Sequence, residues 1–167
     1  MKSIRLPSTA LVLGLLLPAI ASLRAANDFK PIPAPAWQLK DVDGKVVSSD
    51  QFKGKIVVVD FWATWCPHCI DEVAGYVQLQ DKYRDADLVI VGVEVGGEAP
   101  EVVKKFMADN KINYQVVIGD DQIVAAFGGV TGIPTTFIID RGQNVSFRKI
   151  GSMKTAKFEA ALQPFLK

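Results

Sequence analysis

Residues 56–62 read Ile-Val-Val-Val-Asp-Phe-Trp, an apolar run without the polar alternation of a half-exposed strand. Such a strand needs cover on both faces, which a parallel or mixed sheet flanked by helices supplies. Immediately after it, from Cys66, the spacing turns helical, with Cys69, Val73, Tyr76, Val77 and Tyr83 near one face. A second buried strand is predicted over residues 88–93, ended by Gly96-Gly97, and a helix over 98–110 carrying Val102, Val103, Phe106 and Met107. A third strand is expected over 114–118 and a short helix over 122–127, stopped by Gly128-Gly129. Two hairpins are predicted, one at Asp43-Gly44 and one around Arg141-Gly142-Gln143, before a last amphipathic helix with Phe158, Leu162, Phe165 and Leu166. Strands alternating with helices make the chain α/β with a mixed central sheet.

The rest of the 167 residues divide simply. Residues 1–21 read as a secretory signal: Lys2 and Arg5, then an apolar stretch to Leu17, Pro18, and small residues Ala19 and Ala21. Its apolar part is too short for an ordinary spanning helix, although Leu23 would prolong it into an uncleaved membrane anchor. Residues 22–36, with Pro31, Pro33 and Pro35, are expected as an extended, unpacked lead-in, and 37–167 as one domain. The protein is therefore expected in the periplasm or another extracytoplasmic space. Losing residues 1–21 removes Lys2 and Arg5 from 19 basic residues and none of 18 acidic ones, leaving net −1. Without a basic stripe, nucleic acid is not expected as a partner.

Cys66-Pro67-His68-Cys69 holds the only two cysteines. At a helix N-terminus the unpaired N–H groups and the dipole favour thiolate, which makes Cys66 the expected exposed nucleophile. Pro67 suits the first helical position, and His68, the sole histidine, would stabilise the thiolate when protonated. One turn on, Cys69 is expected as the more buried thiol that resolves a mixed disulfide. Zinc lacks further ligands, and c-type haem requires His where Ile70 stands. A structural disulfide would close too small a loop to stabilise much. Copper(I) capture by Cys66, Cys69 and His68 stays open as a second class of function. Redox exchange without a cofactor or metal is the better reading.

Residues 58–69, Val-Val-Asp-Phe-Trp-Ala-Thr-Trp-Cys-Pro-His-Cys, together with Thr131-Gly-Ile-Pro-Thr-Thr-Phe-Ile-Ile-Asp140, resemble the thioredoxin superfamily. Leu39-Lys-Asp-Val-Asp-Gly44, Phe52-Lys-Gly-Lys55 and the extra segment near 96–117 resemble its secreted TlpA/ResA-like redoxin branch, over nearly all of residues 37–167. The resemblance implies a thioredoxin fold with an N-terminal β-hairpin and a central βα insertion. It makes Pro134 a cis-proline facing the sulfurs, and the Ile133 backbone a partner for an extended substrate segment. Asp60 matches the buried acid that takes the Cys69 proton, and Glu72 an acid near the cysteines of ResA-like members. Trp65 is expected to shield the disulfide edge and join substrate binding, while Phe61 and Trp62 are expected in the core. Two departures stand out. The kinking proline common five residues after the second cysteine is Ala74, and Glu72-Val73-Ala74 replaces a Glu-Met-Pro run, so a straighter helix is expected. A peroxidase is disfavoured because the Pro-x-x-x-Thr-x-x-Cys pattern is absent.

What the resemblance implies is a monomeric thiol–disulfide oxidoreductase acting on protein or peptide thiols and disulfides, with a redox partner such as a membrane electron donor. The scaffold resembles reductants of cytochrome c maturation, whereas the Pro-His dipeptide resembles that of DsbA-type oxidants. Reduction is favoured, with a disulfide-donating oxidant and a copper metallochaperone as the alternatives.

Overall fold

The computed structural model describes residues 30–167, so the signal segment expected over 1–21 lies outside the described residues. Eight strands form one sheet: β1 (Ile32–Pro33), β2 (Gln38–Asp41), β3 (Val46–Ser48), β4 (Ile56–Trp62), β5 (Leu88–Glu94), β6 (Gln115–Ile118), β7 (Thr135–Ile139) and β8 (Asn144–Ile150). Four α-helices accompany them: α1 (Pro67–Lys82), α2 (Pro100–Asp109), α3 (Asp121–Ala126) and α4 (Thr155–Leu162). Across the sheet the order is β1-β8-β7-β4-β5-β6-β2-β3. β4, β5 and β6 run parallel, and the other neighbouring pairs are antiparallel.

β4 lies in the middle with every residue buried, as its apolar run requires. Its side chains alternate between two cores. Ile56, Val58 and Trp62 join Tyr76 and Leu79 of α1, Val103 of α2, and Phe158 and Leu162 of α4. Val57, Val59 and Phe61 join Ile123 of α3, Phe137, and Trp37, Leu39 and Val47 at the N-terminal hairpin. Asp60, two residues from both Val58 and Trp62, therefore points to the face covered by α1. Glycine at position 75 lets α4 press against α1: a Cβ there would stand 2.2 Å from Thr155 Oγ1.

Two details refine the expected architecture. The lead-in is extended at its end, but it also pairs, since Ile32 and Pro33 add a short edge strand beside Val145 and Asn144. In β8 the register slips, so that Ile139 faces Val145 while Ile138 faces Phe147. Ser146 is the extra residue of this bulge. From there on, Phe147 and Lys149 turn to the α1 face, while Arg148 lies over the Phe137 ring on the other.

Candidate active site

The carboxyl end of β4 delivers the chain to Cys66, which caps α1. Its Sγ accepts the Cys69 N–H at 3.2 Å, and Pro67 takes the first helical position, where a missing N–H leaves no bond unmade. Cys66 and Cys69 are joined in a disulfide with Cα atoms 5.3 Å apart. The expected exposure of Cys66 is corrected: its residue is only 5% exposed against 2% for Cys69. With its sulfur turned back over the helix end and bonded to Cys69, little of it reaches water. Pro67 and His68 are exposed on the same turn.

The Ile133–Pro134 bond is cis. Thr135 pairs with Phe61 across the antiparallel β7–β4 ladder, so the residues just before Thr135 sit at the end of the sheet where β4 runs into the cysteine loop. Ile133 is half-buried and packs against the core that contains both cysteines, and Pro134 is buried. Trp65 is 61% exposed, a large apolar surface beside the disulfide. Its indole N–H points to the Gly96 carbonyl at 3.5 Å. Only glycine fits at 96, because a Cβ would meet Ala63 at 2.7 Å and Glu94 Oε1 at 2.6 Å.

On the α1 face of the sheet, the face that also carries the cysteines, lies a buried polar network. Asp60, Thr136 and Lys149 are register partners on β4, β7 and β8 and share the α1 face. Thr136 donates its hydroxyl proton to Asp60 Oδ1 at 2.7 Å, and the Tyr76 hydroxyl lies 3.0 Å from Thr136 Oγ1. Tyr76 also donates its hydroxyl proton to Asp60 Oδ1 at 3.5 Å, so both hydroxyls converge on the one carboxyl oxygen. From α1, one turn beyond Cys69, Glu72 pairs with the Lys149 ammonium and accepts the Met153 N–H at 2.7 Å. Glu72 is 5% exposed and Lys149 6%. Burial pushes the Asp60 carboxyl up to about 7; the Glu72 charge adds to this, while the Thr136 hydrogen bond and the Lys149 charge oppose it. Desolvation likewise holds the Tyr76 phenol well above its usual range.

The structure thus brings Cys66 with Cys69 and Asp60 with Glu72, and sets Pro67, His68 and Trp65 around the surface end of the motif. Tyr76, Thr136 and Lys149 were absent from the sequence-based candidates. Glu94 was too: it is 1% exposed and accepts the Gly96 N–H at 2.7 Å, holding the turn that seats Trp65. Burial raises its carboxyl as well. Period-two alternation from Phe147 would have placed Lys149 indoors, and a buried lysine needs a partner.

Residues 32–148 match the AhpC/TSA family. A thiol-disulfide oxidoreductase ResA of Geobacillus thermodenitrificans (strain NG80-2) is 32% identical over 160 residues, covering 91% of each chain. Another ResA, of Bacillus thuringiensis (strain Al Hakam), is 30% identical over 130 residues, 78% of this chain and 75% of the relative. A crystal structure of a thiol:disulfide interchange protein of the thioredoxin family from Chlorobium tepidum TLS superposes with a TM-score of 0.76. It is 38% identical, over 84% of this chain and 99% of that one. The mixed α/β architecture is therefore the thioredoxin fold the motifs imply.

Proposed function

We propose, from the premise that this chain belongs to the AhpC/TSA family and is a thiol–disulfide oxidoreductase of the ResA type, that it works as a reductant of protein disulfides. One observation carries the direction. Among the described residues, the buried ionisable groups on the α1 face are the Asp60, Glu72 and Glu94 carboxyls and one ammonium, Lys149, which Glu72 already engages. A strong oxidant needs its reduced form stabilised, above all as thiolate. Here the helix N-terminus and exposed His68 supply that stabilisation, and the buried carboxyls oppose it.

In the proposed cycle the Cys66 thiolate attacks one sulfur of a substrate disulfide. A mixed disulfide forms and the other substrate sulfur leaves as thiolate. Asp60 then takes the proton of the Cys69 thiol, a role its raised ionisation suits at neutral pH. The Cys69 thiolate attacks Cys66 Sγ, releasing the second substrate thiol, so two electrons pass to the substrate and the Cys66–Cys69 disulfide remains. A redox partner restores the dithiol. Extended substrate is taken to lie against the Ile133 backbone beside Pro134, with Trp65 covering the disulfide edge. Glu72 serves as a charge near the site. The signal-like residues 1–21 support an extracytoplasmic setting, and the scaffold supports cytochrome c maturation as the process served. No helix among the described residues is long and apolar enough to cross a membrane.

A glutathione redox titration of the cysteine pair tests the direction. The expected potential lies near that of thioredoxin, about −270 mV; a value near that of DsbA, about −120 mV, overturns the reductant reading.

A further inference from the structure

Glu72 reaches Lys149 from a helix 77 residues away in sequence, and the ion pair sits where neither partner meets water. Burying a charge pair is costly and often no better for stability than apolar packing, so its position asks for a reason. That position is specific. Lys149 closes a row of three register partners, Asp60, Thr136 and Lys149, each on the next strand, and Glu72 descends on the row from α1. Two acidic groups therefore face one buried site, and a single cation is shared between them. The Glu72 atom bonded to Lys149 also accepts the Met153 N–H, which fixes that carboxyl from a second side, whereas Glu72 Oε2 is buried without a hydrogen-bond partner.

Resting on the reading of Asp60 as acceptor of the Cys69 proton, we propose that Lys149 is a positioning residue that pins Glu72 over the row and offsets its charge at Asp60. Asp60 is thereby left as the carboxyl that exchanges the proton. Without the ammonium, two carboxyls would compete for one proton, as like charges in a shared site do. The groups around Asp60 are few. α1 presents Glu72 and Tyr76, β7 presents Thr136, and β8 presents Lys149. The Tyr114 phenol, ahead of β6, senses the Asp60 charge from further off and is raised chiefly by its own burial. On the β5 side the register partner is Gly92, which has no side chain to contribute. Among the described residues Lys149 is the one buried cation, and its charge acts on Asp60.

The test follows the Asp60 carboxyl carbon by NMR through a pH titration of the full oxidised chain, assigned with Asp60→Asn. Loss of a cation raises the midpoint, so Lys149→Met is expected to move it upward by about one pH unit, and Lys149→Arg to hold it near its native position. A midpoint unmoved in Lys149→Met overturns the proposal, because a merely structural lysine would change stability and leave this titration alone. Should Lys149→Met not fold, Glu72→Gln and Glu72→Gln/Lys149→Met carry the same comparison without an unpaired carboxylate. The double variant is expected to titrate about one pH unit above the single, and equal midpoints overturn the proposal. An undiminished rate of mixed-disulfide resolution in Asp60→Asn is a different failure. It would remove the base role from Asp60 while leaving any Lys149-dependent midpoint standing.

Discussion

β4 faces two cores, and they are built on opposite terms. On one side Val57, Val59 and Phe61 meet Phe127 and Phe137, with ring centroids 4.9 to 5.9 Å apart and no polar group among them. On the other side the same strand places Asp60 between Val58 and Trp62 and surrounds it with Thr136, Tyr76, Glu72 and Lys149. A face without buried carboxyls serves stability, since each large buried apolar side chain contributes about 1.5–3 kcal/mol. A buried carboxyl network works against stability and persists where its chemistry is used. Only the face carrying the cysteine helix has one. Under the function proposed above, the contrast divides the sheet into a side that holds the fold and a side that handles protons.

The largest expected effect tests the holding side. Phe61→Ala empties space between Phe127 and Phe137 and is expected to cost about 3–5 kcal/mol, by urea unfolding of the oxidised protein. That loss should be the same at pH 4 and pH 8, because no titrating group lines the site. A loss that changed steeply with pH would break the contrast at its root.

Asp60→Asn should do the reverse on the proton-handling side. Folding raises the Asp60 carboxyl from 3.8 to about 7, so between those values the native chain binds a proton the unfolded chain has lost. Native stability then falls as pH rises through that window, by an amount near 4 kcal/mol once Asp60 is ionised. Asparagine escapes this cost but leaves its amide N–H₂ without an acceptor, at about 1–2 kcal/mol. The variant is expected to be more stable than the native chain by about 2–3 kcal/mol at pH 8, and less stable by about 1–2 kcal/mol at pH 4, where the native carboxyl is protonated. Unfolding free energies differing equally at the two pH values would place the Asp60 carboxyl outside the low-dielectric network.

The two faces were not equally legible in the sequence. The apolar side follows from short-range signals: the unbroken Ile56–Val59 run, the glycine stops and the hairpin turns all act within a few residues. The cysteine helix announces itself the same way, and the cis bond before Pro134 was carried by the Gly-Ile-Pro-Thr-Thr motif. The proton-handling side depends on register. Thr136 and Lys149 come beside Asp60 only after β7 and β8 pair, and the Ser146 bulge decides which face Lys149 takes. Alternation from Phe147 turns Lys149 inward only once the bulge has fixed which face Phe147 itself takes. The burial of Cys66 escaped for a related reason, since the helix-end position of a thiol says where it caps but not how its sulfur folds back.

The smallest effect on stability is expected from Trp65, which belongs to neither core. At 61% exposure it contributes little to either face, so Trp65→Ala should change unfolding free energy by only about 0.5 kcal/mol or less. Yet the molecule fixes its position: Glu94 holds the Gly96 turn, and a residue larger than glycine there would collide with the loop bearing Trp65. An exposed indole held in place, next to a disulfide whose sulfurs are buried, presents its area to whatever approaches them. The chain expected after export, residues 22–167, has a net charge of −1, which leaves little electrostatic selection to do this work. Trp65→Ala should therefore raise KM for a folded protein disulfide by about tenfold, the equivalent of 1.4 kcal/mol of contact, while the rate with a small aromatic disulfide stays within twofold. Equal losses with both substrates would assign Trp65 to the chemistry of the sulfurs and extend the proton-handling side to the surface.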